Sequence, residues 1–187
     1  MIEARGARGI GLALRRQLRA AVPAGMTAED AAGAEQRLGT ASQGLRDAVY
    51  AMMRDAALLG VATAEQGAAG GRTPKKELVG VGIDWALVNA DVLRWLETYE
   101  FELVRNIDEN SRRALREAVD RWVRNGLPLP DLITELEPIF GARRAELIAS
   151  TEVTRAFAEA NLRAWRASGV VERVSWRTAN DERVCPI

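Results

Sequence analysis

The only cysteine of the chain, Cys185, lies two residues before the end of the printed sequence, in the segment DERVCPI. Cys-Pro-Ile has the form of the first half of a Cys-x-x-Cys pair, whose two thiolates commonly share one zinc ion. Structural zinc needs four ligands, so one thiolate does not form such a site. We therefore predict no metal site in this chain. Cys185 is expected to be a free thiol, and a ligand only in a longer form of the protein.

Histidine is absent from the 187 residues, which excludes Ser-His-Asp and Cys-His catalysis and any zinc site built with imidazole. Carboxylates stand beside arginines at helix-surface spacing, as in RRALREAVDRW, a pattern typical of a solvated helix face. The glycines of GIGLAL and GVGIDW do not complete G-x-G-x-x-G, and the Walker pattern does not occur. We therefore predict that the protein is not an enzyme and has no catalytic residue, cofactor or small-molecule substrate.

Positive charge is concentrated at the start of the chain. The formal net charge is zero, from 26 basic and 26 acidic residues, yet Glu3 is the one acidic residue among the first twenty. This segment is either a solvated helix start or a surface that contacts phosphates or an acidic protein. Apolar residues, Ile10 among them, would add the buried area that exposed ion pairs lack. The predicted partner-binding residues are Arg5, Arg8, Arg15, Arg16, Arg19, Leu12, Leu14 and Leu18.

The composition is that of a folded protein, with 48% apolar and 28% charged residues. No stretch approaches the roughly 20 apolar residues of a membrane span, and arginines interrupt the N-terminal segment where a signal peptide would be apolar. A single cysteine excludes an intrachain disulfide and fits a reducing compartment. We therefore expect a protein made in a cytoplasm, without membrane contact.

The first part of the chain, residues 1–66, is predicted to be an N-terminal helical arm followed by a helix over 27–66. Thr27 is a candidate N-cap, with Asp30 three residues later as in a capping box. Glycines weaken the front of this helix, each by about 1 kcal/mol relative to alanine. They are Gly33, Gly39 and Gly44. Residues 67–83 collect glycine, proline and charge without a period, which predicts a linker.

The second part, residues 84–187, is predicted to hold four helices and one strand. The first helix covers 90–105 with Asn89 as its cap, and the polar run NIDENS predicts a break or kink before the next helix, which Gly126 ends. Pro130 opens a short helix over 131–137, and a last helix covers 142–167 until Gly169. The β-branched residues of VVERVSWRT then predict a strand. The fold class is therefore mainly α, with two helical parts, a Gly-rich linker and a small β element near the C-terminus.

The apolar stripes of these helices predict the core. Glu152 stands in the last helix beside an apolar residue, so we expect it to pair with an arginine from elsewhere in the fold; Arg143 and Arg155, on the same helix, are the local candidates. The residues expected to be buried are Trp95, Leu96, Leu103, Leu115, Val119, Trp122, Ile148, Phe157 and Trp165.

From residue 82 to its end the sequence resembles the phage Mu F-like head morphogenesis (minor capsid) family. The resemblance rests on DWALVNADVLRWLETYEFELVRNIDENSRRALREAV, then on GLPLPDLITELEPIFGARRAELIASTEVTRAFAEANLRAW, then on SGVVERVSWRTANDERVCPI. Similar proteins typically show an Arg-Ala-Glu-Leu-Ile-Ala-Arg-Thr-Glu segment, a Gly, a strand with Trp, and Asp-x-Arg-Val-Cys-Pro-x-Cys. Here Ser150 replaces the arginine of that segment, Ala158 replaces a frequent asparagine, and the second cysteine is not reached. The last residues are therefore expected to be the cut edge of a longer protein.

The resemblance implies a non-catalytic minor head protein at the portal vertex, acting in assembly, DNA packaging or ejection. Its implied partner is the phage portal protein, with weak contacts to packaged DNA, and its implied location is the host cytoplasm during assembly and then the virion head. Two alternatives stay open: a helical nucleic-acid-binding protein, and the delivery region of a longer toxin-bearing protein.

Overall fold

The computed structural model of the protein describes residues 1–70 and 85–169. Within these ranges the chain forms helices joined by short connections, which confirms the mainly α fold class. The helices are α1 (Ile2–Ala21), α2 (Ala34–Thr40), α3 (Ser42–Gly70), α4 (Trp85–Asn125), α5 (Leu129–Phe140) and α6 (Ala142–Ser168), and a 3₁₀ turn (Glu29–Gly33) precedes α2. No helix of the described ranges is both long enough and apolar enough to cross a bilayer. The described residues do not include the predicted strand, Cys185 or most of the predicted linker. Only linker residues 67–70 are described, and they form the end of α3.

Small residues allow α3 and α6 to pack closely at the centre of the bundle. The buried stripe of α6 is mostly alanine: Ala145, Ala149, Ala156, Ala160 and Ala164. Gly60 of α3 faces this stripe, and a Cβ placed on it would lie 2.6 Å from the carbonyl oxygen of Phe157. Helices from both predicted parts, α1 and α3 from the first and α6 from the second, therefore share one core.

The predicted helix over 27–66 is wrong in its first half, where the chain forms the 3₁₀ turn and α2 before α3 begins. The low helix propensity of glycine is one reason, since the turn ends at Gly33 and α2 ends just after Gly39. A second reason is tertiary. Arg37 donates hydrogen bonds of 3.2 and 3.0 Å to the carbonyl oxygens of Ala20 and Ala21, at the C-terminus of α1. Docking α2 on that helix end requires the bend.

The predicted pairing of Thr27 with Asp30 is present. Asp30 Oδ2 accepts hydrogen bonds from the backbone N–H of Thr27 at 3.0 Å and from its hydroxyl at 2.8 Å. These two bonds lower the pKa of the Asp30 carboxyl. The carboxylate therefore holds the entry to the 3₁₀ turn.

The break predicted at NIDENS is wrong, because α4 continues through it as one helix of 41 residues. Two of the polar side chains there face neighbouring helices: Asp108 accepts a hydrogen bond of 2.9 Å from Gln17 Nε2, and Ser111 is buried. Asn89 lies inside α4 and does not cap it. Polar residues at this position thus mark helix–helix contacts and not a helix end.

The helix ends predicted from glycine and proline are largely confirmed. Gly126 and Gly169 have φ angles of 60° and 63° and follow α4 and α6. Pro130 lies in the first turn of α5, which extends to Phe140, three residues beyond the predicted end. Of the predicted core, Leu96, Leu115, Val119 and Trp122 are buried. The other predicted core residues are half-buried: Trp95, Leu103, Ile148, Phe157 and Trp165.

Candidate functional site

The N-terminal helix α1 is docked in the bundle along its whole length and is not a free arm. Ile10, Leu14 and Leu18 are buried in the core, so Leu14 and Leu18 are not part of the exposed surface as the sequence predicted. An amphipathic helix buries its apolar stripe wherever a partner element exists, and here α3 and α6 supply it. Of the predicted leucines, only Leu12 is at the surface, with 58% of its area exposed.

The predicted arginines of α1 all lie on the face opposite the core. Arg5 Nη2 forms an ion pair of 2.8 Å with Asp55 Oδ2 of α3. None of the other four, Arg8, Arg15, Arg16 and Arg19, is paired with a carboxylate within the described ranges. The outer face of α1 therefore carries positive charge that the described part of the fold leaves largely unneutralised.

A groove of about 620 Å³ runs between this face and the start of α6. Its floor is made of small residues, Ala4, Ala7, Gly11 and Ala142. Its rim carries Arg8, Leu12 and Arg15 on the α1 side, and Glu3 and Glu146 also border it. The groove and the arginine face together form the strongest candidate for a binding surface, since three of the predicted partner-binding residues line it.

Glu152 does pair with an arginine, but the partner is the local candidate Arg155 of the same helix and not an arginine from elsewhere in the fold. Glu152 is 5% exposed, and its Oε1 lies 3.5 Å from Arg155 Nη1. The sequence did not predict Tyr99 of α4, whose hydroxyl donates a 2.9 Å hydrogen bond to Glu152 Oε2 and accepts one from Arg155. Burial raises the pKa of the Tyr99 hydroxyl, against the lowering effect of Arg155. The three side chains satisfy one another, and the cluster joins α4 to α6.

Arginine and aromatic contacts beside this cluster also join α4 and α6. Trp95 stacks on Tyr99 with ring centroids 5.4 Å apart. Arg163 of α6 lies 5.5 Å from the Trp95 centroid and forms ion pairs of 2.9 Å with both Asp91 and Glu159. Our predictions from the sequence did not use the four-residue spacing of Asp91, Trp95 and Tyr99, which is the signal in the sequence that places them on one stripe of α4.

A second polar cluster links α1, α4 and the start of α6. Arg144 Nη1 donates hydrogen bonds to Ser111 Oγ at 3.0 Å and to the carbonyl oxygen of Ile139 at 2.7 Å. Burial lowers the pKa of the Arg144 guanidinium, and the negative charge of Asp108 acts in the opposite direction. Asp108 in turn holds the buried Gln17. These hydrogen bonds connect α1, α4 and α6, and the carbonyl oxygen of Ile139 adds α5.

Glu100 of α4 is a buried carboxylate that its neighbours stabilise only weakly. Its Oε1 lies 3.8 Å from Arg46 Nε and accepts no hydrogen bond from the described residues. Burial raises the pKa of the Glu100 carboxyl above 4.5; Arg46 offsets part of this effect and Asp47 adds to it.

Replacing Glu100 with glutamine is expected to stabilise the protein at pH 7. Because the pKa of Glu100 is higher in the folded protein than in the unfolded chain, folding favours the protonated carboxyl. This contribution to the free energy of unfolding is fully present below pH 4.5 and is lost as the pH rises through the folded-state pKa. Glutamine imitates the protonated form at every pH, so the difference between the variant and the parent should grow from pH 4 to pH 7. Urea melts at both values measure it. Glu97→Gln on the exposed side of α4 is the control, and an equal response of the two variants would contradict the prediction.

The residues that the structure describes contain no group of three or more His, Cys, Asp or Glu side chains placed to hold a metal ion. The prediction for Cys185 falls outside these ranges. Comparison of the chain with protein-family models, with curated proteins and with solved structures found no match.

Proposed function

We propose that this protein is a phage or prophage minor head protein that acts in head morphogenesis at the portal vertex, without catalytic activity. The observation that carries the proposal is the ordered set of sequence segments from residue 82 onwards, ending in DERVCPI, which resembles the Mu F-like family. The proposed partner is the portal protein, and the proposed location is the host cytoplasm during assembly and then the virion head.

The outer face of α1 is the proposed contact surface. Exposed ion pairs contribute only about 0–1 kcal/mol each, so arginines alone would give a weak complex. The exposed Leu12 and the adjoining groove supply apolar area that a partner protein would bury. Contacts with packaged DNA are secondary in this proposal, because the net charge of the chain is zero.

Co-expression with the portal gene of the same genome tests the proposal directly. We expect the tagged portal protein to retain this chain at low salt, and we expect heads made without this gene to be defective in assembly, packaging or ejection. Genes for a portal and a major capsid protein beside this one are the expected genomic context. Absence of co-purification together with fully infectious particles from a deletion strain would refute the proposal. Surface substitutions are the correct probe of α1, since deleting residues 1–22 would remove Ile10 and Leu14 from the core.

A further inference from the structure

The exposed face of α1 carries a seam with the three-and-four spacing by which helices pack on each other. Its members are Arg5, Arg8, Leu12, Arg15 and Arg19. Intervals of three, four, three and four residues place these side chains in one line along the helix, since α-helices have 3.6 residues per turn. All five residues are exposed, on the side of α1 opposite its buried residues.

The seam is electrostatically unsatisfied at its centre. Arg8 and Arg15 stand two turns apart, about 10 Å along the axis, and neither forms an ion pair with a carboxylate of the described residues. Leu12 lies between them with 58% of its area in solvent. A ligand that satisfies this arrangement must therefore present negative charge at two points and an apolar group between them.

The groove beside the seam has room for a helix to approach. Ala4, Ala7, Gly11 and Ala142 form its floor, and none of these side chains extends beyond a methyl group. Small residues let the backbone of a second helix lie close, and a volume of about 620 Å³ accommodates the apolar side chains of one amphipathic face. The groove thus continues the seam with small side chains, and Glu3 and Glu146 at its border restrict the carboxylates of an acidic ligand to the arginine side.

We propose that this surface binds an acidic amphipathic helix of the partner protein, with carboxylates two turns apart facing Arg8 and Arg15 and an apolar residue facing Leu12. The inference deepens the proposed function, on which the identity of that partner rests. A nucleic-acid backbone satisfies the arginines equally well but offers nothing to Leu12 or to the alanine floor, because its outer surface is a row of charged phosphates. The seam therefore favours a protein helix.

A designed helical peptide of about 20 residues tests the site without any phage protein. It carries Glu at four seam positions and Leu at the central one, in the spacing of α1, and its binding to the full chain is followed by fluorescence anisotropy. We expect saturable binding at low salt, with affinity falling as salt rises. The double variant Arg8→Glu/Arg15→Glu is expected to bind at least about tenfold more weakly. The control Arg94→Glu/Arg124→Glu changes the same charge on α4, where the side chains are 76% and 77% exposed, and is expected to bind like the parent.

Charge exchange and competition decide the assignment. A peptide with Lys in place of only the two Glu residues that face Arg8 and Arg15 should bind the Arg8→Glu/Arg15→Glu variant more tightly than the parent protein. An equal loss of peptide affinity in both double variants would overturn the proposed site, because it would show that the peptide is attracted to the overall charge of the protein. A 30-bp DNA duplex, about three helical turns, that binds more tightly than the peptide and displaces it would also overturn it and assign the seam to phosphates. Portal co-purification without peptide binding would overturn the inference and leave the proposed function standing.

Discussion

Replacing Trp122 with alanine is expected to lower the free energy of unfolding by about 3–5 kcal/mol. Trp122 lies near the C-terminal end of α4 and is 7% exposed within the core of the bundle. Deleting the indole removes its packing contacts and leaves a cavity that the surrounding helices can close only in part. Urea denaturation followed by circular dichroism measures the loss. A variant as stable as the parent would show that Trp122 contributes no packing energy.

The matched variant Trp122→Phe separates packing from hydrogen bonding. Trp122 Nε1 is buried and donates no hydrogen bond to the described residues. Phenylalanine keeps much of the ring area and removes this unsatisfied donor, so we expect Trp122→Phe to cost much less than Trp122→Ala. Equal losses in the two variants would contradict this expectation, because they would show that a phenylalanine ring recovers none of the packing of the indole.

Replacing Gly60 with leucine is the second change for which we expect a large effect. The free energy of unfolding should fall by about 3 kcal/mol or more, at the upper end of the cost of overpacking. A Cβ at this position would lie 2.6 Å from the Phe157 carbonyl oxygen and 3.1 Å from Ala160 Cβ. The first contact is with backbone, which cannot rotate away, so α3 and α6 must move apart. Separation of this pair would disturb the alanine stripe that forms the centre of the core.

The control for this variant is Gly44→Leu in the same helix. A Cβ on Gly44 would meet no atom within 4 Å. Leucine also forms helix better than glycine by about 0.5–1 kcal/mol, so Gly44→Leu should leave stability unchanged or raise it. Thermal melts of both variants provide the comparison, with about 2–4 °C expected per kcal/mol for a chain of this size. Equal melting temperatures for the two variants would contradict the close approach of α3 and α6 at Gly60.

The sequence by itself determined the helical class, several of the helix ends and part of the core. Gly126 and Gly169 end α4 and α6 because only glycine adopts a positive φ without steric cost. Leu96 and Leu115 were predictable as core because helical periodicity places them on apolar stripes. Glu152 and Arg155 were predictable as a pair because residues three apart are neighbours on a helix. These features depend on residues close together in the chain.

The tertiary structure alone decided which polar and apolar faces are used. Asp108 and Ser111 suggested a helix break, yet α4 passes through them because Gln17 and Arg144, both distant in sequence, supply their hydrogen bonds. Tyr99 joined the Glu152 pair only because α4 packs on α6. Leu14 and Leu12 stand two residues apart in one helix, but one is buried and the other is exposed. Local spacing gives each side chain a direction, whereas the presence of α3 and α6 on one side of α1 decides which direction is the interior.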